Sequence, residues 1–542
     1  MSEIKRVAHA SLDRRGFLKA SAWSIGGIGL MSLLDACGAG SSSPAPAGAG
    51  STAVLNMPFL EDMQVPDPDI MYEGEGVQVM HAVYDGLAQY KPGTNEPVPL
   101  LAESWEVSKD QLTYTFKLRP NVKFHDGTIA DAASWVAGFK RRAAINQGPA
   151  YMVAGIKEAV AKDPTTLVVH LKTPNNAFLH YLACPWHPFA VSPTAVKKHA
   201  VGGDLAQKWL QTHDAGTGAY TIKEFVPGNY YLLEKFPGYW GGDVAYDQIR
   251  ITITPSVATQ ELQLQQGQFD VITKGLPVPD VLKYQKNPDY EVPVTLGGTG
   301  NAIWINPNKP MFADKKLRQA LVQAIDRDPV VQSSYGGLVP TQKGFWIDKL
   351  FPPNLDPISG AVDTAPLKAL VANLPNKNVD LAWGADGGAP VQQMAELVQT
   401  QLAAVGLNVT VRELPTAQVF ELVNQPQAKR PDLFIDWLGG DALHLDTVLR
   451  ILIRTGAKPL NLFSFSFPEL DTLMDEAILQ PTTEKMNNIY VQATKFVMDE
   501  AIFVPLCSQP FPIIARNYIT GIVQDSDIPE IIYADKIGRK LS

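Results

Sequence analysis

The residues best suited to bind a small charged molecule follow one short apolar segment. Residues 433–437 read Leu-Phe-Ile-Asp-Trp, the composition of a buried strand, and a glycine-containing segment with Asp441 comes next. In parallel α/β sheets, ligands bind in the crevice beyond the carboxyl ends of the strands. This order of residues therefore predicts that Trp437 and Asp441 face such a crevice. A solvated loop carboxylate and a core tryptophan are the alternatives.

A second group of residues has the chemistry of metal ligands. His180, Cys184 and His187 follow one another at helical spacing, and imidazole and thiolate groups suit transition metals. Pro185 breaks the helix directly after the cysteine, however, and no fourth ligand lies nearby in the sequence. We therefore expect neither a bound metal nor another cofactor.

Signals of catalysis are missing from the sequence. It contains no His-Glu-x-x-His, no Gly-x-Ser-x-Gly, no paired Cys-x-x-Cys and no phosphate-binding P-loop. Gly216 and Gly218 lack the later glycine of a dinucleotide-binding fingerprint and indicate a tight connection to a strand. The pattern favours a binding protein over an enzyme, and an exported enzyme stays open as the alternative class.

The elements around residues 214–272 predict an α/β fold. Residues 220–225 and 230–234 are rich in strand-forming side chains, and the Pro-Gly-Asn between them is typical of a hairpin turn. Residues 248–254 alternate between isoleucine and polar side chains, which predicts a strand with one buried face. A helix should begin after Ser256 and end near Gly267.

The second half of the chain repeats this alternation of elements. Residues 379–383, 391–405 and 407–411 predict a β-α-β unit with a parallel pair of strands. The glycine-rich residues 297–301 predict a flexible crossing between two parts of the fold.

Several of these segments resemble one known family. Residues 216–242, GTGAYTIKEFVPGNYYLLEKFPGYWGG, are similar to the signature of the dipeptide- and oligopeptide-binding class of ABC-transporter solute-binding proteins. Residues 84–87 (YDGL), 124–127 (FHDG) and 317–327 (LRQALVQAIDR) extend the similarity, which covers nearly everything after residue 52. The resemblance implies a two-lobed periplasmic-binding-protein-like α/β fold, with an extra inserted subdomain and a ligand cleft between the lobes.

The resemblance also implies how the chain is divided. We predict a twin-arginine-type signal peptide at 1–36, a lipidated cysteine and flexible tether at 37–52, lobe I at 53–92, 214–298 and 506–542, the inserted subdomain at 93–213, and lobe II at 299–505.

The ligand-binding residues follow from the same resemblance. In peptide-binding members an aspartate in the segment after residues 433–437 pairs with the α-amino group of the peptide, and Asp441 is the match here. Trp437 is then a cleft aromatic, Tyr72 and Glu73 lie in the first-lobe loop that faces the cleft, and Trp186 lies in the corresponding loop of the inserted subdomain. The predicted function is capture of a peptide or peptide-like solute for an ABC importer. A receptor for a metal chelate, oligosaccharide or opine-like solute is the alternative.

The N-terminal residues indicate export and anchoring. Arg14 and Arg15 begin a segment that resembles the twin-arginine consensus, and residues 22–34 are an apolar stretch of signal-peptide length. Cys37 follows in a segment that resembles a lipoprotein processing box, and residues 38–51 contain only Gly, Ala, Ser and Pro, which predicts a flexible tether. These features predict a lipid-anchored protein on the periplasmic or extracellular face of a membrane.

Charge and cysteine content narrow the partners. The 542-residue chain has a formal net charge of −9, which argues against nucleic acid as a partner because phosphate binding needs a basic surface. No apolar run reaches the roughly 18 residues of a spanning helix. Besides Cys37, only Cys184 and Cys507 are present, and the sequence leaves open whether they pair. We expect a monomer that contacts a ligand, permease subunits and, through its anchor, the membrane.

Overall fold

The structure is a computed structural model that describes residues 52–352, 354–358, 361–458 and 460–540. The predicted signal segment, Cys37 and the tether up to residue 51 lie outside the described residues. Within the described ranges, no helix combines the length and the apolarity that crossing a bilayer requires.

Strands and helices alternate along the described chain. The strands are β1 (Val54–Phe59), β2 (Ala88–Tyr90), β3 (Pro97–Pro99), β4 (Ala102–Val107), β5 (Thr113–Leu118), β6 (Ile156–Asp163), β7 (Thr166–Leu171), β8 (Tyr220–Val226), β9 (Tyr230–Lys235), β10 (Gln248–Ile253), β11 (Val271–Ile272), β12 (Tyr290–Glu291), β13 (Val294–Ile305), β14 (Asn378–Gly384), β15 (Asn408–Leu414), β16 (Leu433–Leu438), β17 (Phe503–Pro512), β18 (Ile514–Arg516), β19 (Ile519–Thr520) and β20 (Gly538–Arg539). The helices are α1 (Gly74–Val83), α2 (Ala132–Ile145), α3 (Tyr151–Ala154), α4 (Phe178–Tyr181), α5 (Pro193–His199), α6 (Val257–Gln265), α7 (Val278–Tyr284), α8 (Lys315–Ala324), α9 (Arg327–Tyr335), α10 (Ala365–Ala372), α11 (Gly388–Ala404), α12 (Thr416–Glu421), α13 (Leu445–Leu452), α14 (Pro468–Ala477) and α15 (Thr483–Glu500).

Three larger sheets organise these elements. We call the region around sheet β1-β10-β9-β8 the first lobe, the region around sheet β15-β14-β16-β13-β17 the second lobe, and the region around sheet β4-β5-β7-β6 the inserted region. The residue limits given for the domains above stay predictions.

The first lobe contains the predicted hairpin. Strands β8 and β9 pair antiparallel, and Gly228 in their turn has a φ of +74° that favours glycine. Strand β10 continues the sheet and pairs in parallel with β1, so alternate isoleucines such as Ile249 and Ile251 are buried. Ser256 caps α6 by accepting a hydrogen bond from the Thr259 amide, as the sequence predicts.

The second lobe contains the predicted β-α-β unit, because β14 and β15 pair in parallel on either side of α11 in the chain. The prediction of a flexible crossing at residues 297–301 is wrong, since β13 continues through these residues with a register shift between Leu296 and Gly300. A Cβ atom on Gly300 would lie 2.6 Å from the Cys507 carbonyl oxygen. Glycine is therefore what lets β13 and β17 approach each other here.

The inserted region is an antiparallel sheet with α2 on one side. Phe116 and Leu167 of this sheet share one hydrophobic core with Phe434 and Phe503 of the second lobe. The inserted region therefore packs directly against the second lobe, and the residues between α2 and β6 come close to the end of β16.

Candidate functional site

Asp441 is the point at which the three regions meet. Its Oδ2 accepts a hydrogen bond from the Tyr72 hydroxyl of the first lobe and another from the Tyr151 hydroxyl of the inserted region, both at 2.5 Å. Tyr72 is 37% exposed and Tyr151 is 41% exposed, so a solute can reach both rings. Both bonds end on the same oxygen, which leaves Oδ1 as the acceptor that can serve a further donor.

The electrostatics of Asp441 favour a positively charged partner. Burial raises the pKa of its carboxyl, while the hydrogen bonds from Tyr151 and Tyr72 lower it. A carboxylate that has lost much of its hydration is stabilised by a cation that brings hydrogen-bond donors. Asp441 can therefore hold an ammonium group at the junction.

Trp186 completes an aromatic wall next to this carboxylate. Its ring meets the ring of Tyr72 edge-on, with 5.3 Å between the centroids. The indole Nε1 of Trp186 is buried, and it has no hydrogen-bond partner among the residues that the structure describes. An indole N–H donates only, so this atom can serve an oxygen of a bound solute.

A buried ion cluster holds the wall in place. Arg141 bonds Asp67 at 2.6 Å and Asp69 at 2.6 Å, and the Arg142 Nε bonds the other oxygen of Asp69 at 2.8 Å. Arg142 also donates to the main-chain carbonyl of Trp186 at 2.9 Å. One buried cluster thus ties the loop before Tyr72, on the first lobe, to the Trp186 loop of the inserted region, and it positions both aromatic side chains.

The Asp441 side of the junction is held differently. Its segment follows β16, and the Thr447 hydroxyl lies within hydrogen-bond distance of the carbonyl oxygens of Ala442 and His444, at 2.6 and 2.8 Å. The Leu443 amide donates to the Tyr90 hydroxyl at 2.9 Å, a contact that leaves the second lobe. This side therefore depends on main-chain turns and on contacts across the junction.

Glu73 and Trp437 occupy other places. The carboxylate of Glu73 caps α1, where it accepts hydrogen bonds from the amides of Glu75 and Gly76 at 2.6 and 2.8 Å. Trp437 is half-buried and, with Trp304 and Phe465, lines a small apolar cavity of about 20 Å³ in the second lobe. A ligand contact by either residue stays a prediction, and for Glu73 it would replace a cap bond.

The three metal-like residues do not converge on one point. His180 lies 3.4 Å from the Tyr90 hydroxyl, whereas His187 lies 2.7 Å from the Cys184 carbonyl oxygen. No cluster of three or more potential ligands occurs in the part of the chain that the structure describes. Cys184 and Cys507 are both buried free thiols, which answers the pairing question that the sequence left open.

Tyr151 and the arginine pair are the site residues that sequence reasoning missed. Tyr151 follows Gly-Pro-Ala, and its partner Asp441 is 290 residues away, so no local pattern connects them. The adjacent arginines gave a weak signal, because two consecutive cations on α2 and the Asp-Pro-Asp at residues 67–69 have complementary charge. Only the folded chain shows that they meet.

These features define the class of protein. Two α/β lobes with an inserted region give this chain the fold of the two-lobed periplasmic binding proteins. The family model described as Bacterial extracellular solute-binding proteins, family 5 Middle, matches residues 96–458, which is more than half of the chain. The chain belongs to family 5 of the bacterial extracellular solute-binding proteins.

Alignments with known proteins cover most of this chain. The glutathione-binding protein GsiB of Escherichia coli O1:K1 / APEC is 26% identical over 436 residues, which are 78% of this chain and 82% of GsiB. The periplasmic binding protein DppA of Helicobacter pylori, solved with the peptide STSA, has a TM-score of 0.75 at 21% identity, covering 90% of this chain and 98% of that one. NikA of Brucella suis, solved with Fe(III)-EDTA, has a TM-score of 0.77 at 21% identity, covering 90% and 100%.

Proposed function

We propose that this chain is the extracytoplasmic receptor of an ABC importer and that it captures a peptide or peptide-like solute. The free ammonium group of the solute pairs with Asp441, and the aromatic wall of Tyr72 and Trp186 covers the neighbouring part of the solute. The two lobes close over the solute, and the closed form delivers it to the membrane permease subunits. The receptor acts as a monomer and leaves the solute chemically unchanged.

One observation carries the proposal, namely that Asp441 of the second lobe is bonded by both other regions. A group bound to Asp441 is held where the first lobe, the inserted region and the second lobe meet. Since a solute there contacts all regions only when they are together, its binding free energy shifts the population toward closed lobes. Relatives that bind glutathione and peptides support a solute with a free amine.

The test compares free-amine peptides with their acetylated partners. Trialanine and glutathione, each with and without N-acetylation, are screened by thermal unfolding and calorimetry against the wild type and Asp441→Asn. We expect a free-amine peptide at about 100 times its Kd to stabilise the wild type by about 2.7 kcal/mol. Acetylation or the substitution should abolish that effect, because each removes one half of the ion pair. Equal binding of the acetylated peptides, or no binding by any of the four, contradicts the proposal.

A receptor for a metal chelate, oligosaccharide or opine-like solute is the second candidate, and the fold it shares with NikA favours the chelate. An anionic chelate would approach the carboxylate of Asp441, and like charges at a buried site repel each other. Native mass spectrometry of the protein with Fe(III)-EDTA separates the two candidates. A retained chelate favours the second candidate, and its absence together with a retained peptide favours the first.

The N-terminal segment completes the proposal. Arg14 and Arg15 direct export through the twin-arginine route, and lipidation of Cys37 anchors the receptor at the outer face of the membrane. Two acyl chains on one thiol-linked glycerol give stable anchoring, whereas one chain does not. The Cys37→Ser variant should leave the membrane fraction while the wild type stays in it. Retention of both in the membrane fraction contradicts lipid anchoring at this residue.

A further inference from the structure

Asp527 is a buried carboxylate that the site described so far does not use. It is 2% exposed, and its Oδ2 has no hydrogen-bond partner among the residues that the structure describes. Lys349 comes close to this segment, but its Nζ donates to the carbonyl oxygen of Ser526 at 2.6 Å. A buried carboxylate oxygen without a donor is costly, and such groups in native proteins require an explanation.

A neighbouring aspartate shows how this loop satisfies a carboxylate that serves the fold. Asp525 accepts hydrogen bonds from the amides of Asp527 and Ile528 at 2.7 and 2.9 Å, and from the Tyr533 hydroxyl at 2.7 Å. Both of its oxygens are therefore used. Asp527 lies two residues further along the same loop and carries the same carboxylate group, but it lacks these hydrogen-bond partners. Its role therefore differs from that of Asp525.

The position of Asp527 connects it to the junction. The Gly298 amide donates to its main-chain oxygen at 2.7 Å, and a Cβ atom on Gly298 would lie 1.8 Å from its Oδ1. The same Cβ position is 2.8 Å from a Leu443 methyl carbon, two residues beyond Asp441 in the chain. Burial raises the pKa of Asp527, and the charges of Asp525 and Asp441 raise it further. The carboxylate thus lies against β13, beside the segment that carries Asp441.

We propose that Asp527 is a second anionic contact for the solute, so that the cleft prefers a peptide that carries a basic side chain in addition to its free amine. The inference rests on the proposed function and adds the class of peptide. The ammonium or guanidinium group of such a side chain supplies the donor that Asp527 lacks in the fold. Asp441 and Asp527 then recognise two separate positive charges, and a peptide with only one of them leaves a buried carboxylate unpaired.

The test uses a matched pair of tripeptides, Lys-Ala-Ala and norleucyl-Ala-Ala, which differ by the side-chain ammonium group. The proteins are the wild type, the variant Asp527→Asn and the control variant Asp525→Asn. The measurements are the peptide affinity by calorimetry and the thermal midpoint without peptide. We expect the wild type to prefer the lysyl peptide by at least about tenfold, the effect of one charge-assisted hydrogen bond. In Asp527→Asn that preference should vanish, while the affinity for the norleucyl peptide changes less than about twofold.

The thermal midpoint without peptide provides an independent test. Without peptide, Asp527→Asn should raise the thermal midpoint because it removes an unpaired buried carboxyl, whereas Asp525→Asn should lower it because Asp525 is fully bonded. A lowered midpoint for Asp527→Asn, or an undiminished preference for lysine in that variant, overturns the inference. If neither peptide binds the wild type, the proposed peptide function fails. The direction in which Asp527→Asn shifts the thermal midpoint then still tests whether Asp527 is an unpaired buried carboxyl.

Discussion

The two walls of the junction are built on different principles. On one wall, Tyr72 and Trp186 are fixed by a buried cluster in which Arg141 and Arg142 use both oxygens of Asp69. On the other wall, the carboxylate of Asp441 is bonded only by tyrosines from the opposite regions, among the side chains that the structure describes. The contacts that fix Tyr72 and Trp186 are present whenever the chain is folded. The contacts of Asp441, in contrast, form only when the lobes are together. Substitutions in the first wall should therefore change stability, and those in the second should change binding and closure.

The largest expected effect comes from breaking the ion cluster. Arg142→Met leaves Asp69 with one cation instead of two and frees three main-chain carbonyls, and loss of one partner from a buried pair costs about 3–5 kcal/mol. Urea denaturation measures the free energy of unfolding. The control is Arg454→Met, whose pair with Asp475 is partly exposed and worth less than about 1 kcal/mol. Similar losses in both variants would show that the wall is not held by its buried charges.

A pH-dependent effect should come from Glu75, on the helix directly behind Tyr72. Burial raises the pKa of Glu75 to about 7, although the Lys274 ammonium at 3.0 Å opposes this shift. The folded-state pKa lies above the unfolded value of 4.5, so the stability from the protonated form is fully present below pH 4.5 and is lost as pH rises through 7. The full shift corresponds to about 3 kcal/mol.

Glu75→Gln removes this titration and should be more stable than the wild type at pH 8, with a flatter profile between pH 4.5 and 7. The exposed Glu61→Gln is the control and should follow the wild-type profile. Denaturation midpoints across this pH range provide the measurement. If the stability of Glu75→Gln changes with pH in parallel with that of the wild type, Glu75 does not titrate between pH 4.5 and 7.

The smallest effect should come from the two hydrogen bonds that join the walls at Asp441. Tyr72→Phe and Tyr151→Phe each remove one hydrogen bond to Asp441, which should lower the free energy of unfolding by about 1 kcal/mol or less. The two changes are coupled through a single oxygen, so the double variant should not lose the sum of the two single effects. Thermal unfolding of the three variants measures this coupling. Strictly additive losses would indicate that the two tyrosines act on Asp441 independently.

The sequence predicted local elements well and long-range contacts poorly. The hairpin β8–β9 and the β-α-β unit were predictable because turn residues and apolar periodicity are local properties. The failure at residues 297–301 has a physical reason: glycines have low intrinsic strand propensity, but Gly300 and Asn301 pair with both β16 and β17, and the Gly298 amide donates to the Asp527 carbonyl.

The candidate site shows the same division. Asp441, Tyr72 and Trp186 were named from the resemblance, and the structure brings these three together. Tyr151 was not predictable, because its role is created by contact with a residue of another sheet. The unpaired state of Asp527 was invisible for the same reason, since it is defined by partners that are missing in three dimensions.

The most direct test of the central claim measures the distance between the lobes. Cys184 and Cys507 are buried, so spin labels can be directed to Asn229→Cys in the exposed β8–β9 turn of the first lobe and Gln393→Cys in the second, with Cys37 replaced by serine. Pulsed electron paramagnetic resonance then reports the distance distribution with and without saturating trialanine, in the wild-type background and in Asp441→Asn. We predict that the peptide narrows the distribution to its short-distance component in the wild type and leaves Asp441→Asn unchanged. An identical distribution with and without bound peptide in the wild type would contradict capture by lobe closure at Asp441.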